Sequence, residues 1–172
     1  GYRYFDPFHK PCAYSFGHGL SYTQFAASAK ATWESGVLKI SARIENVGKY
    51  AGKYSFLVYV SSPAGRLKKP LRTFAGFEKT RLLIPGESQT LTLEIPAKDF
   101  AVYDDKSHAF ILEAGEYTVF AGGSISEAEK IGAFTLAQEQ VVEKTCSVLA
   151  PVEEVKGISE SGSISEHTQM VP

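Results

Sequence analysis

Residues 37–45 read VLKISARIE, an unbroken alternation with Leu38, Ile40, Ala42 and Ile44 on one face and Lys39, Ser41, Arg43 and Glu45 on the other. Successive side chains of an extended chain point to opposite sides, so the pattern predicts a strand with one buried and one wetted face. Residues 89–95 repeat it, with Leu91, Leu93 and Ile95 inward and Thr90, Thr92 and Glu94 outward. Between them, residues 54–60 (YSFLVYV) are apolar on both faces, as expected of a central strand covered on both sides.

Working outward, residues 24–34 predict a strand ending near Trp33, with Gly36 making the turn into 37–45. Asn46, Val47 and Gly48 break that strand, and Gly52 closes the turn region. Residues 61–70 form a loop with Pro63, Gly65, Pro70 and a basic cluster at Arg66, Lys68 and Lys69. A strand is expected over 71–83, carrying Phe74, Phe77 and Leu82, with Gly76 as a bulge or bend. Pro85 and Gly86 turn the chain, Pro96 stops the next strand, and 97–108 is an irregular connection with one helical turn. Residues 110–112, 116–121 and 131–136 supply the last strands. About seven short strands separated by turn residues predict an all-β fold, an antiparallel β-sandwich of immunoglobulin-like or fibronectin type III-like shape. Without the cysteine pair and strand-C tryptophan of antibody domains, the fibronectin-like version is preferred.

The flanks differ in character. Residues 1–15 hold Tyr2, Tyr4, Phe5, Phe8 and Tyr14 without strand or helix periodicity, and Pro7 and Pro11 prevent a helix from running through. So short a peptide cannot bury those rings on itself; they pack on the domain that follows or belong with one that precedes. Next comes FGHGLSYT, residues 16–23, in which Gly17 and Gly19 flank His18. Glycines in that arrangement allow unusual backbone angles and close approach of another surface, which marks a junction. Residues 139–156 are read as a polar helix or extended linker, and 157–169 (GISESGSISEHTQ) hold too little apolar surface to fold. The expected organisation is therefore a junction peptide over 1–23, a sandwich over 24–138 and a linker or flexible tail over 139–172. Starting on Gly1, with its one methionine at Met170, the chain reads as a piece of something longer.

A net charge of −1 supplies no basic field for nucleic acid or an anionic membrane. No apolar run approaches the ~20 residues needed to span a bilayer. Cys12 and Cys146 are too few and too far apart for a disulfide framework, which favours a reducing compartment such as the cytoplasm.

Candidate chemistry is sparse. His9, Cys12 and His18 lack a fourth ligand and the tight pairing of a zinc site, so no metal site is expected. Asp104 and Asp105 resemble a carboxylate pair, but neighbours on an extended chain point apart, and DDK is common turn chemistry. Ser15 and Ser21 near His18 have no orienting third group or oxyanion site. Arg66, Lys68 and Lys69 read as a solvated face, and Tyr50, Tyr54 and Tyr103 are candidates to stack on sugar rings. No catalytic residue and no cofactor site is assigned.

Beyond these patterns, GYRYFD followed by FGHGLSYT resembles the end of the second domain of family three glycoside hydrolases, the β-glucosidase and β-xylosidase group. Asn46, Val47, Gly48, Ala51, Gly52 and FLVYV resemble a turn and central strand of the fibronectin type III-like domain those enzymes carry. GFEKTRLLIPGES (76–88) and EAGEYTVFAGGS (113–124) resemble its later blocks, so the likeness runs over about residues 1–137. The resemblance implies a parent enzyme that is a retaining glycosidase, using one carboxylate as nucleophile and another as acid/base. It also implies that the nucleophile lies on a barrel domain and the acid/base on an α/β sandwich domain, both outside this sequence, so the isolated chain is expected to be inactive. Phe16, Gly17, His18, Gly19, Leu20, Ser21 and Tyr22 are then expected to dock the fibronectin-like module on those catalytic domains. An oligosaccharide is a further candidate ligand, and a carbohydrate-binding or adhesive sandwich is the alternative function. Some relatives of that family carry the barrel last, and residues 147–158 (SVLAPVEEVKGI) fit the start of such a linker as well as a plain terminus.

Overall fold

The structure, a computed structural model, describes residues 1–5 and 11–146. One helical turn, α1 (Tyr2–Phe5), is followed by β1 (Phe25–Glu34), β2 (Val37–Asn46), β3 (Ser55–Ser61), β4 (Thr73–Lys79) and β5 (Ser88–Pro96). A 3-10 turn (Ala97–Asp99) leads into β6 (Val102–Asp104), β7 (Ala109–Leu112), β8 (Gly115–Gly122), β9 (Glu129–Leu136) and β10 (Gln140–Lys144). Seven of these strands make two antiparallel sheets, β1-β2-β5 and β4-β3-β8-β9, while β10-β7-β6 form a small third sheet. The all-β, fibronectin-like sandwich expected from the sequence is the fold.

The alternating strands explain the layering. In the β2–β5 ladder Leu38 pairs with Ile95, Ile40 with Leu93 and Ala42 with Leu91, so each inward side chain has an inward partner. Against this layer pack Phe56, Val58 and Val60 of β3 and Tyr117, Val119 and Ala121 of β8, all in one buried cluster. Each large side chain so buried contributes about 1.5–3 kcal/mol. Trp33 of β1 closes the edge by stacking on Phe134 at 4.5 Å, which stacks in turn on Tyr117 at 4.9 Å.

The two-sided apolarity of β3 has a separate cause. Its other face, Leu57 and Tyr59, is buried in a second cluster with Ile125, supported by Tyr2, Phe74, Phe120 and Ala128. At least one aromatic of the N-terminal peptide therefore packs on the domain that follows: Tyr2 lies 6.2 Å from the Tyr59 ring, and its hydroxyl accepts the Phe74 backbone N–H at 2.8 Å. Tyr14, by contrast, is exposed.

Turns fall where small residues were placed. Ser35 (φ 49°) and Gly36 (φ 82°) form the two-residue link closed by the Glu34–Val37 pair, a turn whose twist suits a hairpin. The register of β3 against β4 jumps between Val58, opposite Gly76, and Tyr59, opposite Phe74, which puts a bulge beside Gly76. The strand expected over 71–83 is shorter, ending at Lys79. Thr80 and Leu83 instead make separate links to Tyr54 and Gly52.

Two strands went unforeseen. Val102–Asp104 lies in the segment read as irregular, although the helical turn expected there is present at Ala97–Asp99. Gln140–Lys144 lies past residue 138, where the sandwich was expected to end; it pairs with β7 and packs Val142 against the main core. One inward valine among charged neighbours suffices because β7 offers a ready ladder. The expectations for 147–172, and for Phe8 and His9, fall outside the described residues.

At the side of the sandwich β1 and β9, edge strands of different sheets, run against each other. A Cβ added at Gly132 of β9 would lie 2.9 Å from the Ala31 carbonyl oxygen and 3.0 Å from the Ala31 Cβ of β1.

Candidate docking site

The segment from Phe16 to Thr23 is pinned at both ends and projects between them. At the first end the Phe16 carbonyl accepts the Ile125 N–H at 2.9 Å, and its ring lies 5.4 Å from Phe74 and 5.1 Å from Tyr2. Ser15 and Ser126 hydroxyls bond at 2.8 Å. Gly17 adopts φ 85°, and an added Cβ would crowd the Leu57 side chain and lie 3.0 Å from the Gly123 carbonyl oxygen and from the Ser124 Cα, so both conformation and close approach favour glycine there. At the other end Thr23 is buried and its hydroxyl donates to Asn46 Oδ1 at 2.7 Å.

Between these pins the chain bows outward. The His18 N–H donates to the Ser15 carbonyl, and its ring lies 5.1 Å from Tyr14. Nothing surrounds the position of a Cβ at Gly19. Leu20 is 96% exposed and Tyr22 95% exposed, values at which a large apolar side chain gains nothing from its own domain. Of the seven residues expected to dock outward, Phe16, still 43% exposed, and Gly17 also touch this domain, while Leu20 and Tyr22 stand clear of it. Beneath the bow runs an open groove of about 990 Å³, floored by residues of β1, β3 and β9 and bordered by Lys53, Tyr54 and Glu127.

Asn46 is the residue that sequence reasoning undervalued. Read as a strand breaker, it is fully buried and makes four hydrogen bonds that join three segments. Its Nδ2 donates to the carbonyls of Tyr50 and Leu83, both at 2.8 Å, and its Oδ1 accepts from the Thr23 hydroxyl and from the Gly48 N–H at 3.1 Å. Its own backbone bonds Gly86 and Glu87. An Asn directly before Val-Gly at the end of an alternating strand was the available signal.

The remaining candidates are accounted for structurally. The Arg66 guanidinium donates to buried Asp104 at 2.8 Å and lies 3.4 Å from Glu139. Arg66, aided by the Ser107 hydroxyl and the Lys106 N–H, holds the Asp104 carboxyl well below the usual carboxylate range. Asp105, its neighbour, is exposed. Burial alone would push Glu113 up, but its ion pair with Lys69 and the Arg66 N–H keep it low. The loop cations expected to be solvated therefore include two that clasp the loop to the β6–β8 region. Of the three tyrosines considered for sugar stacking, Tyr50 is 63% exposed, whereas Tyr103 packs on Phe110 and Tyr54 on Phe25. Cys12 and Cys146 are free and exposed, and among the described residues no group of three or more His, Cys, Asp or Glu is placed to hold a metal. Among the same residues no helix is long and apolar enough to cross a membrane.

Comparison with known proteins gives this geometry a context. Residues 55–125 match the fibronectin type III-like domain family. The chain is 44% identical to a β-glucosidase of Ruminococcus albus over 158 residues, covering 88% of this chain and 17% of that protein. It superposes on β-glucosidase 3B of Thermotoga neapolitana in complex with α-D-glucose with a TM-score of 0.78 and 41% identity, over 83% of this chain and 20% of the other. The β-glucosidase of Paenibacillus barengoltzii gives a TM-score of 0.82 at 35% identity, over 89% and 18% respectively. The chain spans less than a quarter of the length of the curated relatives it matches first, from 17% to 24%.

Proposed function

From the premise that this chain carries a fibronectin type III-like domain and is similar to one portion of the β-glucosidases, we propose that it is the non-catalytic bracing module of a family three glycoside hydrolase. In that reading the parent hydrolyses O-glycosyl bonds with two carboxylates that lie outside these residues, and this module holds its catalytic domains, a barrel and an α/β sandwich, in register. The observation that carries the reading is the bow at residues 18–22. Its ends are fixed by Phe16, Gly17 and Thr23, while Leu20 and Tyr22 stand almost wholly exposed. A chain that rigidly anchors two bare apolar side chains is shaped to insert them elsewhere, and each such insertion is worth about 1.5–3 kcal/mol.

Two measurements test the proposal. The isolated chain, incubated with an aryl β-glucoside, is expected to show no turnover; sustained turnover ends the non-catalytic reading. In the full-length polypeptide, Leu20→Ala is expected to lower the melting temperature, and an unchanged melt counts against docking through the bow. A carbohydrate-binding role has one observation in its favour, the exposed Tyr50 ring. Affinity electrophoresis against soluble glucans decides it, since a binding module is retarded and a brace is not.

A further inference from the structure

Six of the large apolar side chains most exposed to solvent sit on the three segments that Asn46 ties together. They are Leu20 and Tyr22 on the bow, Val47 and Tyr50 on the β2–β3 loop, and Leu82 and Ile84 on the β4–β5 loop, between 53% and 96% exposed. The ties are short: Thr23 and Gly48 bond the Asn46 amide oxygen, Tyr50 and Leu83 its amide nitrogen, and the Val47 N–H reaches the Gln24 carbonyl at 2.9 Å. With an aromatic side chain carrying ~150–250 Å², the six together present on the order of 700 Å² at one end of the sandwich. The largest apolar patch of an ordinary monomer is about 300–600 Å², and interfaces between domains of one chain begin near 600 Å².

We propose that this end of the sandwich, centred on the Asn46 knot, is one continuous docking face, of which the bow is only the rim, and that its occupant is the preceding catalytic portion of the same polypeptide. The inference rests on the bracing role proposed above. It adds Val47, Tyr50, Leu82 and Ile84, none of which the junction motif contains. Three observations favour that occupant. The chain entering β1 is tied to this end, since the Gln24 carbonyl accepts the Val47 and Gly48 N–H groups, so an N-terminally attached domain starts beside it. The area matches an interdomain contact. The border carries a cationic excess, with Lys49, Lys53 and Lys79 exposed against Glu78 and Glu127, while Arg81 is already paired with Glu87 at 2.6 Å. The opposing surface is therefore apolar with carboxylates at its margin.

The test is a comparison of melting temperatures for Val47→Ser/Ile84→Ser and for Leu20→Ala, each in the full-length polypeptide and in the 172-residue chain. Expected is a fall of roughly 3–6 °C for the double variant in the full-length protein and less than about 2 °C in the isolated chain, since half-exposed side chains support their own fold little. Equal falls in both proteins would mean a purely local role and overturn the proposal. A response to Leu20→Ala without one to the double variant removes the extended face and leaves the bow; no response to either removes the bracing role as well. Sedimentation of the isolated chain at rising concentration is expected to show a monomer. A dimer that these substitutions dissolve would assign the face to a second copy and overturn the occupant named here.

Discussion

Replacing Asn46 by alanine removes four hydrogen bonds of 2.7–3.1 Å from a site with no solvent exposure. Each is worth about 1 kcal/mol net. The expected loss is about 4 kcal/mol, a large share of the ~5–15 kcal/mol by which a domain is stable. At roughly 2–4 °C per kcal/mol, the melting temperature should drop by roughly 8–16 °C. Urea titration followed by the fluorescence of Trp33, the chain's one tryptophan, reads global unfolding from the opposite end of β1. Hydrogen exchange at the Gly52 and Leu83 amides, which bridge to each other beside the knot, reads local release. Asn46→Asp separates donor from acceptor. It retains oxygen toward Thr23 and Gly48 but aims a carboxylate at the carbonyls of Tyr50 and Leu83. Its folded pKa should lie above the unfolded value near ~3.9, so relative to wild type the penalty is full at neutral pH and eases as pH falls. A loss below ~1 kcal/mol for Asn46→Ala, or an Asn46→Asp penalty indifferent to pH, would refute the account of Asn46 as the tie between the three segments.

Gly17→Ala should cost about 2 kcal/mol in urea stability, since it strains a positive φ and meets Leu57, whereas Gly19→Ala, in open space, should stay within about 0.5 kcal/mol. The carboxyls of Asp104, Glu113 and Glu87 are all held below their ordinary values, so their contribution is present above the unfolded carboxylate range near pH ~4 and lost as pH falls below it. Urea midpoints should therefore be flat from neutral pH to about 5 and decline only in stronger acid; a decline beginning near neutrality would contradict the clasp. Lys69→Met leaves Glu113 buried beside Arg66 without its cation and should cost about 3 kcal/mol, while the double change to Lys69→Met/Glu113→Leu should recover much of that loss.

How far the sequence carried this description depended on whether a signal was periodic. Strands β2 and β5 were legible because one side of each is wet, which writes the burial pattern into alternate residues. Strand β3 was legible as a two-sided core strand, though its second covering layer comes from Tyr2, Phe74 and Ile125, partners scattered over the chain. Strands β6 and β10 left no such mark: three and five residues long, they rest on pairing with β7, and pairing through the backbone is silent in the side chains. In the candidate docking region, the glycines of FGHGLSYT announced a close approach, and Gly17 makes one. The sequence did not distinguish the anchored Phe16 from the projecting Leu20 and Tyr22, because all are apolar and only the seat beneath Phe16 separates them. The role of Asn46 was hidden for a related reason, as its side-chain partners lie up to 37 residues away.

The seam between β1 and β9 bears on how this protein avoids its own kind. An unpaired strand edge is a template on which another chain can add, and a two-sheet sandwich has four such edges. Here two of them are turned against each other, and the contact is close because Gly132 has no side chain to hold Ala31 away. A larger residue at 132 would act as a wedge, freeing both edges together. The absence of a side chain at one position thus lets two of the sandwich's edges lie against each other.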